Sequence, residues 1–174
     1  MKLLALSGSL RRTSYNTAAI QALKRLAPTS IEIVIGDLSS LPLFNPDIEN
    51  NDIPAVQQLK SNLAQASGLI IASPEYAHGI SGPMKNALDW LVSGVEFPYK
   101  SVMLINTSPR ASHALNALIE VITTMSGDII ESASVTIPLL SSELDADGIL
   151  QNREISAVLS HGLKEFCQRI EAKR

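Results

Sequence analysis

The feature of this chain that most restricts its fold is a series of short apolar runs, alternating with segments of helical period. Residues 2–6, the alternating Ile31, Ile33 and Ile35, and residues 68–72, 102–105 and 134–139 read as strands. Residues 18–26, 55–66, 81–92, 114–125 and 149–170 carry apolar residues three and four apart and read as helices. Pro83 falls in the first turn of the third helix, where a missing N–H costs little, and Asp52 stands where it can cap the second. Residues 38–54, rich in Pro, Asn and Asp, read as a long irregular connection. Strands that are apolar along their length belong to a parallel sheet buried on both faces, which right-handed crossovers cover with helices. One α/β domain of three layers over residues 1–174 is the expectation. Ligands of such sheets bind at the carboxyl ends of the strands, near the point where strand order reverses. The loops after the first, third and fourth strands should therefore lie together.

Composition narrows the partners. Hydrophobic residues make up 45% of the 174 and charged residues 18%, which suits a compact folded chain. A net charge of −3 with scattered basic residues offers no broad positive surface for nucleic acid. The start of the chain is too short in apolar residues for a secretion signal, and no apolar stretch is long enough to span a bilayer, so the expected address is the cytoplasm, away from the membrane. The one cysteine, Cys167, has no partner for an internal disulfide and falls in the last helix, far from the special loops.

The first loop, residues 8–17, reads GSLRRTSYNT and leads into a helix amino terminus. Free N–H groups and the positive end of the helix dipole attract an anion there, hydroxyls can donate to it, and Arg11 offers a fork of donors. The first 31 residues contain no Asp or Glu, while Lys2, Arg11, Arg12, Lys24 and Arg25 make the segment positive. A dinucleotide fold would show three spaced glycines, and a P-loop would end in Lys followed by Ser or Thr. Neither is present, and a monophosphate is the better fit. The plainer alternative is that Ser14 caps the helix and both arginines are solvated.

The second loop and the helix after it, residues 73–91, read SPEYAHGISGPMKNALDWL. Pro74 stops the strand, Gly79 and Gly82 allow a close backbone approach, and Tyr76 offers an aromatic face on which a planar ring can lie. Backbone groups along such a loop can hydrogen-bond the polar edge of a flavin. Ordinary packing of Tyr76, and a capping or exposed role for Glu75, are the alternatives.

GSLRRTSYN and PEYAHGISGPMKNALDW, in this order and separation, resemble the NADPH-dependent FMN reductases, a family that includes chromate, quinone and azo-dye reductases. The resemblance implies a flavodoxin-like three-layer sandwich with a five-stranded parallel sheet in the order 2-1-3-4-5. It implies FMN as cofactor, NADPH or NADH as co-substrate, a small-molecule electron acceptor, and a homodimer or homotetramer with the flavin near a subunit boundary. By the same resemblance Ser9, Arg11, Ser14 and Asn16, with Thr17 adjacent, meet the FMN phosphate. Pro74, Glu75 and Tyr76 hold the ribityl chain and the ring. Ala77, His78 and Gly79 follow as candidate cofactor contacts, His78 as a donor near the ring or a contact for a substrate, with a solvent-facing or packed imidazole as the alternative. The family commonly has Asn where this chain has Ala77, which removes one polar contact. Relatives often have a glycine-rich run after the fourth strand, whereas residues 106–114 read NTSPRASHA here. Arg110 and His113 in that run are candidate contacts for the acceptor or for a nucleotide phosphate, and surface roles are the alternative. Trp90 is a candidate interface residue or, equally, a core one. The rival functions are a flavodoxin-type electron carrier, whose surface would be more acidic, and a flavin-free interaction module.

Overall fold

A computed structural model describes residues 1–110 and 112–173. The main strands are β1 (Lys2–Ser7), β2 (Glu32–Gly36) and β3 (Gly68–Ala72). A small hairpin follows, β4 (Glu75–Tyr76) and β5 (Gly79–Ile80), then β6 (Ser101–Asn106) and two fragments, β7 (Asp128–Ile129) and β8 (Val135–Thr136). The helices are α1 (Tyr15–Leu26), α2 (Pro54–Gln65), α3 (Gly82–Leu91), α4 (Ser112–Thr124), α5 (Ala146–Gln151) and α6 (Arg153–Glu171). The sheet runs β2-β1-β3-β6-β7, with β8 also on β6, and each of these pairings is parallel.

Alternation along the strands divides the core in two. Leu3, Ala5, Ile33, Ile70 and Met103 point to one face, where Ile20 and Leu23 of α1 and Leu159, Leu163 and Phe166 of α6 cover them. Leu4, Leu6, Leu69, Ile71, Val102 and Leu104 point to the other, under Leu59 and Leu63 of α2, Met84 and Leu88 of α3, and Leu118 and Ile122 of α4. This is the expected flavodoxin-like sandwich. Strand order reverses between β1 and β3, because the chain first moves outward to β2 and then returns past β1.

The outer strand position departs from expectation. Residues 134–139 do not form one strand; β7 and β8 share the place beside β6, separated by a tight turn at Glu131–Ala133. Pro138 has no N–H to extend a ladder, yet the segment still runs along the end of β6, with Ile137 N donating to Asn106 O and Leu139 N to Thr107 O. The closing helix is also broken. Asn152 is extended, its N–H ends α5 on Gly148 O, and its side-chain oxygen accepts from Ile155 N to start α6. Asp52 caps nothing: Ile53 holds the cap position of α2 without a side-chain bond, and Pro54 supplies the fixed first turn. Trp90 belongs to the core. Its ring is fully buried, its indole N–H donates to Pro42 O, and Phe44 meets it edge-on at 5.1 Å. Among the described residues no helix is long and apolar enough to cross a membrane.

The hairpin is the element the sequence hid. Its two-residue loop places Ala77 at φ 49° and His78 at φ 60°, a left-handed pair of the kind for which Asn-Gly is preferred. Neither residue is of that type, so the usual signal is missing. Ala77→Asn should stabilise the protein by a few tenths to about 1 kcal/mol, since Asn tolerates the left-handed region better than Ala; the shift in urea midpoint measures it. Gly8, at the end of β1, lies so close to β3 that a Cβ would stand 2.5 Å from Ser73 Oγ and 2.7 Å from Ser81 Oγ. Gly8→Ala should therefore destabilise by roughly 1–3 kcal/mol in the same experiment.

Candidate functional site

At the carboxyl edge of the sheet, around the reversal point, lies a cavity of about 750 Å³. Its wall comes from four segments: the loop after β1 with the start of α1, the loop after β3, the loop after β6, and the run from Leu140 to Ala146 before and into α5.

The first segment is organised by its own hydroxyls. Ser9 is buried and its Oγ accepts from Arg11 N at 3.3 Å. Ser14 is extended and caps α1, accepting from Thr17 N at 3.4 Å. Thr17 Oγ1 lies 2.8 Å from Ser7 Oγ. Asn16 is buried, and its side-chain carbonyl accepts from Thr107 Oγ1 at 3.1 Å, tying the helix start to the loop after β6. First-turn N–H groups have no partner within a helix, and Ser14 takes only that of Thr17. Those of Tyr15 and Asn16 remain at the positive end of the dipole. Arg11 and Arg12 are exposed on the cavity wall, and among the described residues neither forms an ion pair.

The second segment is fixed to the first through one serine. Ser81 is buried; its Oγ donates to Gly8 O at 2.6 Å, accepts from Met84 N at the start of α3, and lies 3.3 Å from Ser73 Oγ. Between these anchors Ser73, Pro74, Glu75 and Tyr76 line the cavity, with Tyr76 half exposed. Glu75 Oε2 accepts from Ala114 N at 2.9 Å, so this carboxylate holds the first turn of α4 against the hairpin. The His78 ring stacks on that of His113 with centroids 4.3 Å apart, a second clamp between the same two elements.

Of the residues expected from the sequence, Ser9, Arg11, Ser14, Asn16, Thr17, Pro74, Glu75, Tyr76 and Arg110 stand together on one cavity wall. Ala77, His78, Gly79 and His113 do not. Ala77, His78 and Gly79 sit at or beside the hairpin turn, and His78 stacks on His113 of α4. Gly79 and Gly82 both have room for a Cβ and neither has positive φ, so no contact within the described residues requires glycine at either place.

Sequence reasoning missed the fourth segment, with Leu140, Ser141, Glu143, Leu144, Asp145 and Ala146. Tyr15 Oη accepts from Glu143 N at 3.2 Å and pins this run over the start of α1. The signal was present in the rule for parallel sheets, because this run also follows a carboxyl end in the outer position. Of its acids, Asp145 caps α5, its Oδ1 accepting from Gly148 N at 2.8 Å, and Glu143 is exposed on the wall.

Three kinds of comparison bear on this geometry. The model of a family described as NADPH-dependent FMN reductase matches residues 1–138. An NAD(P)H-dependent FMN reductase of Pseudomonas aeruginosa is 39% identical over 100 residues, which are 57% of this chain and 54% of that protein. An NADPH:quinone oxidoreductase of Arabidopsis thaliana is 41% identical over 95 residues, 52% of this chain and 48% of that one. The chain thus spans about half the length of the curated relatives it matches. In fold it is similar to FerB, a flavoenzyme NAD(P)H:(acceptor) oxidoreductase from Paracoccus denitrificans, with a TM-score of 0.86 at 24% identity over 98% of this chain and 97% of that one. The family match covers three of the four segments that build the cavity, all but the run from Leu140 to Ala146, and its description names FMN and NADPH. On that match, the chain belongs to the NADPH-dependent FMN reductase family.

Proposed function

We propose that this chain is an FMN-dependent oxidoreductase that takes electrons from NADPH or NADH and passes them to a small acceptor such as a quinone. The observation that carries the reading is the meeting, in one cavity, of an acid-free helix start with the half-exposed ring of Tyr76. A flavin mononucleotide fits that pairing: a phosphate at one end, a planar ring at the other.

The Tyr15 and Asn16 N–H groups, the Ser9 and Ser14 hydroxyls and the Arg11 guanidinium would receive the phosphate. Thr17 braces them through Ser7. Pro74, Glu75 and Tyr76 would line the ribityl chain and one side of the ring. The chemistry the flavin supplies when bound is electron transfer between a reduced nicotinamide and an acceptor. The chain's own work is binding and orientation. No side chain has to move a proton for this, and Glu75 is already committed to Ala114 N. Arg110, exposed on the wall, is suited to an anionic acceptor or a nucleotide phosphate. The homodimer or homotetramer expected from the resemblance goes with this reading, since Tyr76 and Leu140 leave apolar surface at the cavity that a second copy would cover.

Arg11→Ala should weaken FMN binding by roughly 1.5–3 kcal/mol, the range for a charge-assisted hydrogen bond, as read by quenching of flavin fluorescence. Unchanged affinity removes Arg11 from the site. The protein loaded with FMN should lose its yellow colour with NADPH alone and regain it with a quinone. Bleaching only after a separate reductase is added favours an electron carrier, and failure to take up FMN favours an interaction module.

A further inference from the structure

His78 and His113 are two candidate site residues that the cavity does not take up, and the fold brings them to each other instead. The rings lie face to face, with centroids 4.3 Å apart and planes 12° from parallel, and both residues are exposed. The β4–β5 hairpin depends on such contacts. Its strands are two residues long, and its turn puts Ala77 and His78 in the left-handed region, which neither residue favours. Ile80 packs on the core and Ser81 anchors the exit of the hairpin. Two further contacts tie it to α4: the bond from Ala114 N to Glu75 Oε2, and the stacked rings.

Histidine is the side chain whose charge ordinarily changes between pH 5 and 8. One proton on the pair is tolerated, because a cation can lie on a neutral aromatic ring. A second sets two positive charges face to face, with His113 in the first turn of α4 at the positive end of its dipole. Of the charged groups on the elements that meet here, Glu75 of β4 favours a positive charge but is committed to Ala114 N, and β5 carries none. Arg110, in the loop before α4, opposes one, and Glu120 lies about two turns further along α4. The closed pair therefore takes up its second proton less readily than separated rings do, so acid shifts the balance toward separation. We infer that His78 and His113 form a proton-sensitive clamp that positions the Tyr76 side of the cavity. Tyr76 lines the cavity on the strand that leads into the clamped turn, so a hairpin loosened by acid no longer holds it in one place. Both histidines are positioning residues and are assigned no contact with a ligand. Only the identity of what Tyr76 meets rests on the FMN reading above.

Hydrogen exchange on the flavin-free full chain tests the clamp itself. Protection factors for residues 75–80, taken relative to those of β3, should fall roughly two- to fivefold from pH 8 to pH 5, the scale of one exposed charge contact. His113→Phe and His78→Phe each keep a stack that cannot hold two charges, and each should abolish that fall. Over the same range the Kd for FMN should rise roughly two- to fivefold more in wild type than in His113→Phe, the titration of the phosphate being common to both. Wild-type protection that does not change with pH, or an equal fall in the Phe variants, overturns the clamp. A clamp that opens while FMN affinity follows the same pH course in wild type and variant overturns its link to Tyr76. A protein that takes up no FMN at pH 8 contradicts the flavin reading, and the exchange result then decides the clamp alone.

Discussion

The site depends on a single short bond between two loops, the donation from Ser81 Oγ to Gly8 O at 2.6 Å. It is possible because Gly8 has no side chain to hold β1 away from the two serines that follow β3. Ser81 also caps α3 through Met84 N, so one hydroxyl sets the end of β1, the end of the β4–β5 hairpin and the start of a helix. Because β1 and β3 are neighbours at the strand-order reversal, this contact lies where a doubly wound sheet opens a crevice. The helix start and the Tyr76 ring thereby line one cavity, a precondition for gripping a ligand with a charged end and a flat end.

Around that bond the electrostatics are set as much by where acids are engaged as by where they are missing. The first 31 residues supply none. Glu75 lies on the wall but accepts from Ala114 N, and Asp145 accepts from Gly148 N. Both carboxylates therefore satisfy helix amino termini other than that of α1. The amino end of α1 has two exposed arginines beside it that, among the described residues, form no ion pair.

Much of this was legible in the sequence. Strands with apolar runs, above all residues 68–72, were read to the residue, because a fully buried strand has no other way to satisfy its pattern. The first loop was legible because cap chemistry and the absence of acids are local properties. What escaped was set by tertiary contact. The break at Asn152 interrupts an otherwise helical apolar pattern through one side-chain cap. The split of the outer strand comes from the turn at Glu131–Ala133, which separates β7 from β8. The β4–β5 hairpin turns on Ala77 and His78, neither of which advertises a left-handed loop, and this is why His78 and Gly79 point toward α4 and away from the cavity. The hydrogen bond between Thr107 and Asn16 could not be found from sequence, since only the fold brings the two residues together.

The central claim is that the start of α1 receives a phosphoryl group. A crystal structure of the protein grown with FMN tests it most directly. The account predicts phosphate density within hydrogen-bond distance of the Tyr15 and Asn16 N–H groups, with the ring against Tyr76. Density for the flavin seated elsewhere, with only solvent at the helix start, would contradict it.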